Sequence, residues 1–146
     1  MQPSKPKPSA VIKPTLDTKF HLDYDWWQRE KNDLRAYMVT HLPAEQRDKF
    51  AEASEDKIVD YIDTKTGEIF RLDELGLAIQ EAAKRPDFIN PQTSLVDCVF
   101  RVFLANGNKP RSPKELEEDT GRDAKTILKT FGGLTVYRGI RPVQSS

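Results

Sequence analysis

A chain of 146 residues, 37 % hydrophobic and 32 % charged, is long enough for one medium domain or two small ones. Its 23 basic and 23 acidic side chains cancel, so it is not a uniformly basic nucleic-acid binder, and no apolar run approaches the length of a membrane span. A single cysteine, Cys98, excludes an internal disulfide and implies a reducing, cytoplasmic setting. No apolar core with a cleavage site opens the sequence, so no secretory leader is expected. The charge is nevertheless uneven. Residues 1–20 carry four lysines and one aspartate, residues 21–105 eleven basic and seventeen acidic side chains, and residues 106–146 eight basic and five acidic ones. Basic ends on an acidic middle fit a basic module joined to an acidic partner-binding or structural one.

Residues 1–19 hold four of the ten prolines and almost no aromatic character, which predicts a flexible Pro/Lys-rich tail. Phe20 to Leu42 reads as one element, a helix capped by Asp23 or Asp25 with Trp27, Leu34, Met38 and Leu42 on one face. Of the adjacent Trp26 and Trp27, one is expected in the core and the other at its edge. Pro43 opens a short helix to Ala53. Lys57–Asp63 and Glu68–Leu72 read as a hairpin with Gly67 in its turn. Asp73 can cap a helix from Glu74 to Lys84, which Pro86 stops. Thr93 or Ser94 caps a helix from Leu95 to Ala105, apolar almost all round and therefore central.

The last stretch carries dense local punctuation. Ser112-Pro113 starts a helix and Thr120-Gly121 ends it. Asp123 caps another, in which Ala124, Ile127, Leu128 and Phe131 share a face, and Gly132-Gly133 closes it. Leu134, Val136 and Ile140 then supply a small β-ribbon, with Pro142 at its end. The expected fold is mostly α with small β-hairpins, an α+β arrangement. It divides into the tail, an acidic α/β module over 20–90 and a C-terminal module over 91–143, with the helix from Leu95 joining both cores.

Chemistry is sparse. His21, His41 and Cys98 have no zinc spacing, and Asp63–Glu68 is too short for a calcium loop and places Lys65 where a ligand should be. No nucleophile elbow or phosphate loop occurs. No metal, cofactor or enzymatic activity is expected.

Helix, turn, helix and ribbon over 110–143 resemble a winged helix-turn-helix. The resemblance implies that the last helix enters the major groove of double-stranded DNA and that the ribbon touches the neighbouring backbone. On this chain it points to Arg122, Lys125, Thr126, Lys129 and Thr130 in and before that helix, and to Tyr137, Arg138 and Arg141 on the ribbon. Lys and Arg bind phosphates or guanine edges, and Thr a phosphate or a thymine methyl. Such a chain would be a transcriptional regulator or part of a DNA-associated complex. Two departures stand out. Glu117 occupies a position usually small and Asp119 one usually apolar, so Glu115, Glu117, Glu118 and Asp119 crowd one helix with negative charge. The alternative is an adaptor that docks a protein through this helix or through the acidic 20–90 module.

Overall fold

The computed structural model describes residues 13–30, 33–50, 59–62, 69–72 and 74–143. Among them it is mostly helical, with two small antiparallel two-stranded sheets, an α+β arrangement. In chain order come β1 (Phe20–Leu22), α1 (Tyr24–Arg29), α2 (Leu34–Val39), α3 (Ala44–Phe50), β2 (Val59–Ile62), β3 (Ile69–Leu72), α4 (Glu74–Ala83), α5 (Leu95–Ala105), α6 (Pro113–Thr120), α7 (Ala124–Phe131) and β4 (Ile140–Pro142). No described helix is long and apolar enough to cross a membrane. The stretch Asp63–Glu68 with its expected hairpin turn at Gly67, and the expected Asp73 cap, lie outside the described residues.

Helix α5 is the hub. Ser94 caps it by accepting a hydrogen bond from the Asp97 amide at 3.2 Å. Its Cys98, Val99, Phe100, Val102, Phe103 and Leu104 are all buried. Burial also pushes the Cys98 thiol pKa up, in keeping with a packed apolar side chain. Helix α4 lies along one side, burying Leu75, Ile79 and Ala82, spaced four and three residues apart, and α6 packs on another. The Gln80 amide donates to the Leu104 carbonyl at 2.9 Å, satisfying one of the carbonyls that the end of α5 leaves without a helical partner. Phe20, Leu22, Trp27, Leu42, Leu116, Ile127, Phe131 and Ile140 complete one continuous apolar cluster around α5.

Helices α6 and α7 end where local sequence says they should. Ser112 and Glu115 form a reciprocal capping box, Pro113 occupies the first turn, and Gly121 leaves α6 at φ 75°. Asp123 then caps α7 through the Thr126 amide at 3.0 Å.

Three expectations are corrected. The element from Phe20 to Leu42 is not one helix. Phe20–Leu22 is extended, α1 stops after six residues, and Asp33 starts α2 afresh by accepting from the Ala36 amide at 3.0 Å. The tail does not reach residue 19. The Lys114 amide donates to the Leu16 carbonyl at 3.3 Å and the Val143 amide to the Lys19 carbonyl at 2.8 Å, so the chain before β1 already lies on the body. Finally, the ribbon after α7 does not form as expected. Leu134 is fully exposed, and residues 133–136 are in no strand.

The partner of β4 is β1, in the register Phe20 to Pro142 and Leu22 to Ile140. Phe20 also exchanges both backbone hydrogen bonds with Arg111, at 2.8 and 3.0 Å, so β1 lies between that segment and β4. The Asn108 side-chain amide continues the pairing on the Leu22 backbone, at 2.7 and 3.0 Å. β1 brings two fully buried side chains to this place, Phe20 and Leu22, whereas Leu134 stays fully exposed and Val136 half-buried. What remains of a ribbon is a tight turn. Tyr137 bridges Ile140, with Arg138 at φ 54° and Gly139 at φ 77°, two successive left-handed residues of the kind that match strand twist. A Cβ on Gly139 would sit 2.6 Å from the Trp27 indole nitrogen, so only glycine allows this approach.

Candidate nucleic-acid interface

The eight residues singled out from the sequence do not share one surface role. Lys125 and Lys129 lie on the outer face of α7, both exposed, four residues and so about one turn apart. Neither forms an ion pair among the described residues. Ala124, Ile127 and Phe131 anchor the opposite face in the core. Thr126 is exposed, but its hydroxyl is held by the Asp123 carboxylate at 3.1 Å, and the Thr130 hydroxyl donates to the Thr126 carbonyl at 2.8 Å. The hydroxyls of these threonines thus serve the helix start and its backbone.

The arginines each have a partner within the protein. Arg122 donates to the Pro91 carbonyl at 3.0 Å and also to that of Thr93, pinning the loop before α5 against the α6–α7 turn. The Arg138 guanidinium lies 4.2 Å from the Tyr37 ring centroid, and its carbonyl accepts from the Trp27 indole at 3.1 Å. Arg141 pairs with Asp23 at 3.0 Å on the wall of an open polar cleft lined by His21, Asp23, Asp25 and Arg29. Tyr137 is partly exposed and meets Phe131 edge-on. The turn that the resemblance assigns to the DNA backbone is thus fastened to α1 and α2 by its own arginines.

The acidic surface of α6 is also largely accounted for. Arg111 makes two parallel bonds to Asp119, both 2.8 Å, and a third to Glu115 at 3.1 Å. Glu115 is bound in addition by Lys19 and by the Ser112 amide, which together hold its carboxyl near a pKa of about 2. Glu117, the residue out of place in the helix-turn-helix pattern, accepts from the Ala124 amide at 2.8 Å and so serves the first turn of α7. Of the four, Glu118 alone has no hydrogen bond or ion pair among the described residues. The sequence signal for these pairings was available only in part. The Arg111–Glu115 spacing of four is visible in a row of letters, but the Lys19–Glu115 pair joins residues 96 apart.

A second polar group lies beneath α2, and sequence reasoning missed it. The buried His41 ring accepts from Arg101 Nε at 3.0 Å through Nδ1, while its Nε2 lies 4.0 Å from Asp97, which also receives the Tyr37 hydroxyl. The Phe100 ring stacks on His41 at 5.1 Å and Tyr37 meets it edge-on at 4.7 Å. Burial, then the nearby Arg101, Arg138 and Arg47 cations, lower the His41 pKa to about 3, so the imidazole is neutral. Tyr37 and His41, and Asp97 and Arg101, are each four residues apart. That spacing, at the end of α2 and on the apolar α5, was the signal to look for. Among the described residues no group of His, Cys, Asp or Glu could hold a metal ion.

No protein-family model, no curated protein and no solved structure matches this chain.

Proposed function

We propose that the chain binds double-stranded DNA through the outer face of α7, as a regulator of transcription or a component of a DNA-associated complex. The observation that carries this reading is the pair Lys125 and Lys129, exposed, one turn apart and free of ion pairs among the described residues, on a helix fixed by a cap at one end and by Ile127 and Phe131 beneath. The internal pairing of Glu115, Glu117 and Asp119 supports it, because carboxylates held by Arg111, Lys19 and a backbone amide repel phosphate less than free ones do. Arg122, Arg138 and Arg141 act in this reading as braces that hold the binding helix, not as phosphate contacts. The test is fluorescence anisotropy with a labelled duplex across a salt series. Two phosphate contacts predict a slope of log affinity on log salt of about −1.8. Lys125→Glu with Lys129→Glu should abolish binding while the melting temperature holds. Equal affinity of parent and double variant at matched salt overturns the reading.

One observation favours the alternative, an adaptor that docks a protein. Leu134 is fully exposed on the loop after α7, with the partly exposed Tyr137 three residues on. A chain that shows no salt-dependent affinity for duplex DNA at about 50 mM salt, where electrostatic contacts are strongest, leaves the adaptor reading in place.

A further inference from the structure

The surface that carries Lys125 and Lys129 does not stop at the end of α7. Gly132 closes the helix, its amide donating to the Leu128 carbonyl at 2.7 Å. Gly133 stands four residues beyond Lys129, about one turn further along the same stripe, and a Cβ there would lie 3.8 Å from the Lys129 carbonyl oxygen. Gly133 is exposed, so the stripe is open at this end. Leu134 follows. It is the most exposed large apolar side chain among the described residues, at 104 % against 48 % for Tyr24. The loop then returns to the body, where the Tyr137 ring meets Phe131 edge-on at 6.5 Å and Tyr137 bridges Ile140. Leu134 lies three residues from each of these two aromatics. At about 3.5 Å per residue, its backbone therefore stands within roughly 10 Å of them, held beside the end of α7.

The surroundings of Leu134 select what covers it. From Ala124 to Val143 the sequence holds Lys125, Lys129, Arg138 and Arg141 and no acidic side chain. Arg138 and Arg141 are partnered by Tyr37 and Asp23, which leaves the two lysines as the cations nearest in sequence that have no ion pair among the described residues. An aliphatic group at the end of a row of such cations matches a surface with phosphates at its edge and apolar groups between them. In the major groove of a duplex that apolar group is the C5-methyl of thymine. We propose that Leu134 packs on a thymine methyl in the duplex whose phosphates Lys125 and Lys129 neutralise. The inference rests on the reading of α7 as the DNA-facing helix. It supplies that reading with a source of base preference, which two lysines lack because they are point charges with no fixed fork.

The experiment compares two labelled duplexes on the full chain at matched salt. One alternates deoxyadenosine and thymidine; the other carries deoxyuridine in place of thymidine, which removes only the methyl groups. The parent should bind the thymine duplex about fourfold more tightly for one methyl covered. Leu134→Ser should lose that preference, melt as the parent does, and keep the parent's dependence of affinity on salt, because no phosphate contact is lost. Equal affinity of the parent for the two duplexes, or a preference that survives in Leu134→Ser, overturns this inference; if Lys125→Glu with Lys129→Glu still abolishes binding, the reading of α7 stands. A parent with no salt-dependent affinity for either duplex overturns both and leaves Leu134 to the protein partner of the adaptor reading.

Discussion

Acidification from pH 7 to pH 5 should cost this fold about 2 kcal/mol through His41 alone. In the folded chain the ring is buried, its Nδ1 takes a hydrogen bond from Arg101, and the cations of Arg101, Arg138 and Arg47 surround it, while Asp97 is the nearest acid at 4.0 Å. Its pKa falls from 6.5 to about 3. A histidine whose folded pKa lies below its unfolded value is protonated more readily by the unfolded chain. Its contribution is therefore present above about pH 6.5 and is lost as the pH falls towards 3. At pH 5 the unfolded imidazole sits about 1.5 pH units below its pKa, and at about 1.36 kcal/mol per unit the cost is about 2 kcal/mol, growing to over 3 kcal/mol by pH 4. The assay is urea unfolding at pH 7, 5 and 4 of the parent and of His41→Gln, which keeps a hydrogen-bonding side chain but cannot titrate. The parent should lose about 2 kcal/mol between pH 7 and 5 that the variant does not. Equal losses in the two proteins would refute the assignment of a neutral, buried His41.

Three further outcomes test the packing. Gly139→Ala should destabilise by about 2 kcal/mol or more, from the left-handed backbone at φ 77° and from a Cβ placed 2.6 Å from the Trp27 nitrogen; a loss below about 0.5 kcal/mol in urea unfolding means the turn is not locked against α1. Phe100→Ala should cost about 3–5 kcal/mol, since the ring is fully buried between Trp27, Tyr37 and His41, and a melting shift like that of a surface variant would place α5 outside the core. Leu134→Ser should change stability by less than about 0.5 kcal/mol because the side chain buries nothing, and a larger loss on thermal melting would show that the loop packs.

The helices of the C-terminal half were legible because what starts and stops them acts within a few residues. Ser94 and Asp123 each cap an amide three positions on, Ser112 and Glu115 satisfy one another, and Gly121 takes the left-handed conformation that other residues avoid. The apolar spacing of Ala124, Ile127 and Phe131 likewise told which side of α7 faces inward and, by exclusion, that Lys125 and Lys129 face out. None of this depends on distant parts of the chain. The partner of β4 does. Any strand with two apolar side chains could have paired there, and β1 was chosen by burial of Phe20 and Leu22 against α5, which no local pattern encodes.

That choice decided the fate of the candidate cations. In the sequence Arg138 and Arg141 look as available as Lys125 and Lys129. Pairing β1 with β4 carries α1 and α2 alongside, and with them come Asp23, 118 residues from Arg141, and the Tyr37 ring for Arg138. Whether a charge is spent inside the protein or offered to a partner depends on which opposite charge or aromatic face arrives within about 4–6 Å, and only the tertiary structure sets that distance.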